Sequence, residues 1–191
     1  VTSPFDARPI VVAVAGPNGA GKTTFYEAHL QPAGLRFVNA DDLARELDVD
    51  AYEAAELAGR LRQTLLEQGE SFVFETVFSD PVGDKVAFLK RAEAGGHTVV
   101  LCFIGVDGPE VSQERVAMRV LQGGHDVPTR KLEQRYPRTL ENLARAIREL
   151  SHVLVFDNGD LGRPFRKVAE FRHGKATQRQ APWPRWLPRG R

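Results

Sequence analysis

The chain has 191 residues, enough for one domain that buries a core of its own. Its 26 basic and 25 acidic side chains nearly cancel to a formal net charge of +1. That balance supplies no overall field for nucleic acid or an anionic membrane. Cys102 is the one cysteine, which excludes an internal disulfide and fits a reducing compartment. No run reaches the length of a membrane span, and residues 1–9 lack the basic and apolar regions of a signal peptide. A cytoplasmic location is therefore expected.

The first expected strand, Ile10–Ala15, is a short β-branched run. Gly16, Pro17, Asn18, Gly19, Ala20, Gly21, Lys22 and Thr23 follow it as a complete G-x-x-x-x-G-K-[ST] phosphate-binding loop, and Thr24 continues into a helix-compatible stretch to Leu30. Strand, glycine loop and helix thus come in the order that phosphate binding requires. The glycines let backbone N–H groups turn toward phosphate oxygens, and the helix N-terminus adds partial positive charge. Lys22 reads as a surface-loop side chain within reach of the β/γ-phosphates. Thr23 reads as a hydroxyl for Mg²⁺. These residues predict binding of a nucleoside triphosphate.

The second strand, Arg36–Asn39, runs into Asp41 and Asp42 at the rim where open α/β sheets bind ligands. One aspartate can accept a proton from an acceptor hydroxyl; Asp41 also suits an N-cap for a helix beginning near Leu43. A helix is expected over Asp50–Gln68 with Tyr52, Ala55, Ala58, Leu61 and Leu65 on its apolar stripe. The third strand, Ser71–Glu75, delivers Glu75, followed by Thr76. Such an acid can bind Mg²⁺ through water, hold a substrate hydroxyl, or simply be a surface carboxylate.

A helix over Asp80–Ala94 should bury Val82, Val86 and Leu89 and stop at Gly95-Gly96. Thr98–Ile104 is the fourth strand, with Cys102 as a small core hydrophobe. Arg115 and Arg119, four apart, share a helix face. Gly123-Gly124, His125 and Pro128 bracket a turn, and Arg130, Arg135 and Arg138 follow. Guanidinium groups suit the charge on a transferring phosphoryl group, so residues 115–138 read as a lid. Thr129–Leu150 is helical in spacing, with Pro137 predicting a kink or two helices meeting. His152–Asp157 closes a set of five strands.

Strands alternating with helices predict a doubly wound α/β fold of the P-loop NTPase type, with a mainly parallel five-stranded sheet. The kinase domain is expected over residues 1–177. Gln178–Arg191, rich in proline, arginine and tryptophan, reads as an irregular tail whose Trp183 and Trp186 pack back on the domain. The alternative for the tail, a nucleic-acid arm, runs against the neutral whole-chain charge.

A second pocket, a proton acceptor and an arginine lid favour a small-molecule kinase over a motor or switch. The chain resembles the zeta-toxin family of P-loop kinases. The matching segments are Gly16–Thr24, Phe37–Asp42, Glu75-Thr76, Arg119 with Gly123–Pro128, Tyr136–Leu143 and Phe156-Asp157-Asn158. The compact Asn39–Asp42 and Gly123–Pro128 segments look most like the chromosomal zeta-like kinases. The resemblance implies an adenylate-kinase-like fold and transfer from ATP to the 3′-hydroxyl of the N-acetylglucosamine unit of UDP-N-acetylglucosamine. It further implies Asp41 as base, Lys22 as ATP lysine, Glu75 as substrate-site acid and Arg119 as first lid arginine. His125 or Arg130 takes the second lid position. A small helical antitoxin protein is the implied partner. The competing readings are a kinase of another small metabolite and a nucleotide-dependent regulatory module.

Overall fold

The computed structural model describes residues 3–121 and 128–187, with Arg119 described by its backbone alone. His125 and the Gly123-Gly124 turn lie outside the described residues.

Continuous apolar runs make most of the parallel strands, because those inside the sheet are covered on both faces, whereas the edge strand Arg36–Val38 is partly exposed. In chain order these are β1 Ile10–Ala15, β2 Arg36–Val38, β3 Phe72–Thr76, β4 Thr98–Gly105 and β5 His152–Asp157. All pair in parallel. Every residue of β1 is fully buried. Alternation divides its side chains between two cores. Val11 and Ala13 pack with Phe72, Phe74 and Phe103 on one face, and Ile10, Val12 and Val14 with Val100, Cys102 and Ile104 on the other. Full burial of each such phenylalanine stabilises by roughly 1.5–3 kcal/mol. Burial in β4 also pushes the Cys102 thiol up to about 12, in keeping with a purely packing role.

The helices cover both faces. They are α1 Lys22–His29, α2 Ala40–Leu47, α3 Ala51–Glu67, α4 Asp84–Ala94, α5 Gly108–Leu121 and α6 Thr129–Glu149. Asp50 caps α3 by accepting from the amides of Tyr52 and Glu53. The α6 helix runs without interruption through Pro137, where a kink or break is expected from sequence. Tertiary anchors on its next turn hold it. Thr139 donates to the Val77 carbonyl at 3.0 Å, and Asn142 to the carbonyls of Phe78 and Asp80 at 2.9 Å each.

Two helical stripes differ from expectation. Val82 is exposed and precedes α4, which starts only after Gly83 takes a left-handed conformation. On α3 the buried positions are Ala54, Ala58, Arg62 and Leu65, while Tyr52 is exposed. Part of this helix walls a cavity instead of the core.

The sheet is larger than five strands. Among the described residues it has seven, ordered β2-β3-β1-β4-β5-β6-β7. The added pair, β6 Arg166–Arg172 and β7 Lys175–Arg179, is antiparallel. Its two-residue turn, His173-Gly174, has positive φ at both positions, the geometry that matches strand twist in tight hairpins. Charged residues in β6 hid it from a hydrophobicity reading. The expected irregular segment therefore begins after Arg179. Beyond it, Trp186 is 7% exposed and lies 5.9 Å from the Phe103 ring. Its indole N–H donates to Asp157 Oδ1 at 3.1 Å.

Strand order reverses direction at β1, flanked by β3 and β4. Crevices at such a point are where open α/β sheets take ligands, and the glycine loop lies at the end of β1.

Candidate active site

The loop from Gly16 to Gly21 is held by its neighbours' backbones. A Cβ on Gly16 would overlap the Ile104 carbonyl oxygen, so nothing larger fits there. Asn158, just past β5, donates to the Ala20 carbonyl at 2.8 Å. Ser112 on α5 donates to the Asn18 carbonyl, and Arg115 donates to the Asn158 carbonyl at 2.7 Å. Arg115 thus ties α5 to the strand ends.

Lys22 is the first residue of α1 and is only 6% exposed, contrary to a surface-loop side chain. Its ammonium donates to the Pro17 carbonyl at 3.1 Å and lies 3.8 Å from Glu75 Oε1. Thr23 donates to Glu75 Oε2 at 2.8 Å, and Asn39 reaches the same oxygen at 3.4 Å. The end of β3 is thereby fastened to the first turn of α1. Thr76 accepts from the Phe78 amide at 3.1 Å while also facing the cavity described below.

The capping role considered for Asp41 belongs to Asn39. Its side chain accepts from the Asp41 amide at 2.9 Å, and α2 starts at Ala40, not near Leu43. An asparagine in extended conformation at the end of β2 is the natural cap. The Asp41 carboxylate has no hydrogen-bond or ion-pair partner among the described residues and borders the cavity. Asp42 pairs instead with Arg45, one turn along α2, and does not border the cavity.

That cavity, of about 370 Å³, opens beside the loop. Asn18, Gly19 and Lys22 of the loop region line it together with Asn39, Asp41, Glu75 and Thr76. Ala51, Ala55, Ala58 and Arg62 of α3, with Lys85 of α4, form a wall. Pro128, Lys131 and Arg135 reach it from the start of α6. Its size suits a small molecule. Arg130 is exposed and is not among the lining residues, whereas Lys131 and Arg135, four apart, share the lining face. Arg119 stands on α5, one turn beyond Arg115.

The zeta toxin family matches residues 2–167 of this sequence. The chain belongs to the zeta-toxin family. Its fold agrees. A chain of the AvrRxo1-ORF1:-ORF2 complex crystallised with ATP superposes with a TM-score of 0.63 at 20% identity, over 91% of this chain and 61% of that one. Our chain thus spans less than two thirds of that relative. The PezAT chromosomal toxin-antitoxin system of Streptococcus pneumoniae gives a TM-score of 0.57 at 19% identity, covering 85% of this chain and 72% of that one. An uncharacterized protein of Haemophilus influenzae is 28% identical over 126 residues, 63% of this chain and 88% of that protein.

Within this zeta-toxin family member, several lining residues escape a motif-based reading. Arg62 and Lys85 sit in ordinary helical stretches with no phosphate signature around them. The available signal was the spacing Ala51, Ala55, Ala58, Arg62, in which small residues keep one helix face clear up to a buried cation. Lys131 was hidden among neighbouring basic residues.

Thr23 and Glu75 also fit a divalent cation. Mg²⁺ takes one or two protein oxygens beside substrate phosphates and water, and here a hydroxyl and a carboxylate already meet at the loop.

Proposed function

We propose that this chain is an ATP-dependent kinase transferring the γ-phosphoryl group to a hydroxyl of a nucleotide-sugar. The 3′-hydroxyl of the N-acetylglucosamine unit of UDP-N-acetylglucosamine is the acceptor the family resemblance favours. One observation carries the reading: a single cavity joins the loop lysine Lys22 to the carboxylate of Asp41, unpartnered among the described residues, and to cations at the start of α6. A nucleotide switch has no use for a proton acceptor in a second pocket.

In this reading the backbone N–H groups of the loop and Lys22 hold the β/γ-phosphates. Thr23 would hold Mg²⁺ directly and Glu75 through water; when bound, the ion neutralises charge on the β- and γ-oxygens. Asp41 accepts the acceptor's hydroxyl proton as its oxygen bonds to phosphorus and ADP departs. Its position on the first turn of α2 places it on the cavity lining. Arg119, with Arg135 or Lys131, would meet the charge spreading over the γ-oxygens. Glu75 orients Lys22 and Thr23 from the end of β3. A small antitoxin protein is the proposed partner and the cytoplasm the proposed location. Among the described residues no helix is long and apolar enough to cross a membrane.

Incubation with ATP, Mg²⁺ and a nucleotide-sugar panel, followed by mass analysis, tests the reading. A product one phosphoryl group heavier than a nucleotide-sugar is expected. ATP binding without any new phosphometabolite would overturn it in favour of a regulatory module.

A further inference from the structure

The segment after β7 lies outside the family match over residues 2–167, yet it packs against the strands that carry the phosphate loop. Gln180 starts it by donating its amide to the Val168 carbonyl at 2.9 Å. Trp183 donates its indole N–H to the Leu187 carbonyl at 2.7 Å, which folds the segment back on itself. That turn sets Trp186 on the C-terminal end of β4. A Cβ on Gly105 would overlap the Trp186 indole, so the ring lies directly on the backbone there. Apolar burial alone would suit a phenylalanine at this place. The indole adds a single donor, and that donor reaches Asp157 Oδ1 at 3.1 Å. The other carboxylate oxygen accepts from Arg166 at 3.1 Å. Asp157 is thus gripped from β6 and from the C-terminal segment at once.

Asn158 comes next in the chain and is buried. Each of its polar groups is engaged. Its amide donates to the Gly105 carbonyl at 2.9 Å, and its side chain donates to the Ala20 carbonyl at 2.8 Å. Its side-chain oxygen accepts from the Phe165 amide at 3.3 Å, and its carbonyl accepts from Arg115 at 2.7 Å. Ala20 stands inside the phosphate loop, directly before the left-handed Gly21. The Trp186 indole, the Asp157 carboxylate, the peptide to Asn158 and the Ala20 carbonyl therefore form one continuous path. Gly105 supplies a second, since its backbone lies under the indole while its carbonyl takes the Asn158 amide. A ligand-holding backbone has to be fixed to within about 0.5 Å, and such supporting contacts are what fix it.

We infer that Trp186 is a positioning residue for the phosphate loop. Through Asp157 and Asn158 it sets the Ala20 turn that receives ATP, and bound nucleotide tightens its seat in return, because such coupling is reciprocal. The inference rests on the ATP reading of the loop and adds to it a control exerted by the segment after β7. The acceptor plays no part in it.

The probe is a non-hydrolysable ATP analogue with Mg²⁺, titrated calorimetrically into the full chain. Trp186→Phe keeps an aromatic ring on Gly105 and removes only the donor to Asp157; it should weaken binding about 5- to 10-fold. Trp183→Phe makes the same chemical change on the same segment away from Asp157, and should leave the affinity within about 2-fold. Asp157→Ala should weaken binding as well, and adding Trp186→Phe to it should cost nothing more, since the two act through one contact. Equal losses in the two phenylalanine variants, or additive losses in the double variant, overturn the inference. A second arm needs no substitution. In the unaltered chain labelled with ¹⁵N-tryptophan, the two indole N–H signals belong to Trp183 and Trp186. Saturation with the analogue should slow hydrogen exchange at Trp186 by about 5-fold or more and at Trp183 by less. Equal or absent slowing overturns the inference, even if a variant fails to fold. Analogue binding that ignores Trp186→Phe overturns the inference and leaves the ATP reading intact. No analogue binding by the unaltered chain overturns the ATP reading, and the inference with it.

Discussion

Thr23 donates its hydroxyl to Glu75 Oε2 at 2.8 Å, joining the first turn of α1 to the end of β3. The bond brings one carboxylate beside both the hydroxyl and the ammonium of the phosphate loop. Glu75→Gln keeps the shape and removes the charge. It should raise the Mg²⁺ concentration for half-maximal turnover by about 10- to 100-fold, the usual cost of losing an outer partner of a metal site. A Mg²⁺ titration at fixed ATP reads this directly. An unaltered titration would take Glu75 out of the metal's surroundings.

Lys22→Ala should abolish measurable ATP turnover, with a loss of at least about 10²-fold. It should also cost stability, because Lys22 is buried and bonded to the Pro17 carbonyl rather than free at the surface. A loss of about 1–3 kcal/mol is expected in urea unfolding. Turnover at the original rate would rule out the loop assignment.

Asp41→Asn and Asp42→Asn form a matched pair. Asp41 borders the cavity without a partner among the described residues, whereas Asp42 is paired with Arg45. Asp41→Asn should slow single-turnover chemistry by about 10²- to 10⁴-fold, with ATP affinity unchanged. Asp42→Asn should lose only an exposed ion pair, about 1 kcal/mol or less. Slight, equal losses in both would mean that neither aspartate is the base.

For the lid, Arg119→Ala should lower kcat by on the order of 10³-fold while the KM for the acceptor hardly moves. Arg135→Ala should act in the same direction, since Arg135 borders the cavity. Arg130→Ala should stay within about 2-fold, as for an ordinary surface substitution. Steady-state kinetics on all three decides which residues meet the γ-phosphoryl group. A large effect at Arg130 alone would reverse the assignment.

Trp186→Ala tests whether the segment after β7 belongs to the domain. Trp186 packs against Phe103 and bonds to Asp157. Its removal should cost about 3–5 kcal/mol, read in thermal or urea unfolding. An unchanged melt would mean that the segment is detachable.

Local chemistry makes much of this protein legible in its amino-acid order. The loop from Gly16 to Thr23 is a backbone device whose glycines and lysine must be adjacent in sequence, so it is visible there in full. The parallel strands are equally legible, because burial on both faces leaves unbroken apolar runs such as Ile10–Ala15. Strand-end residues including Asp41, Glu75 and Asn158 follow from where those runs stop. What tertiary structure decided is different in kind. The β6–β7 hairpin pairs charged strands whose stability comes from the neighbouring β5, and no periodicity announces that. Asn39 rather than Asp41 caps α2 because the chain leaves β2 one turn earlier than helix spacing suggests. The exposed Arg130 and the cavity-facing Arg135 are both arginines on one helix; only the packing of α6 across the strand ends tells them apart. Arg62 is the clearest case. In sequence it is one charged residue among many on α3, and its place in the cavity wall arises only when Phe74 and Phe88 bury it beside the site. Burial and direction are properties of the assembled elements, and a linear string of residues does not contain them.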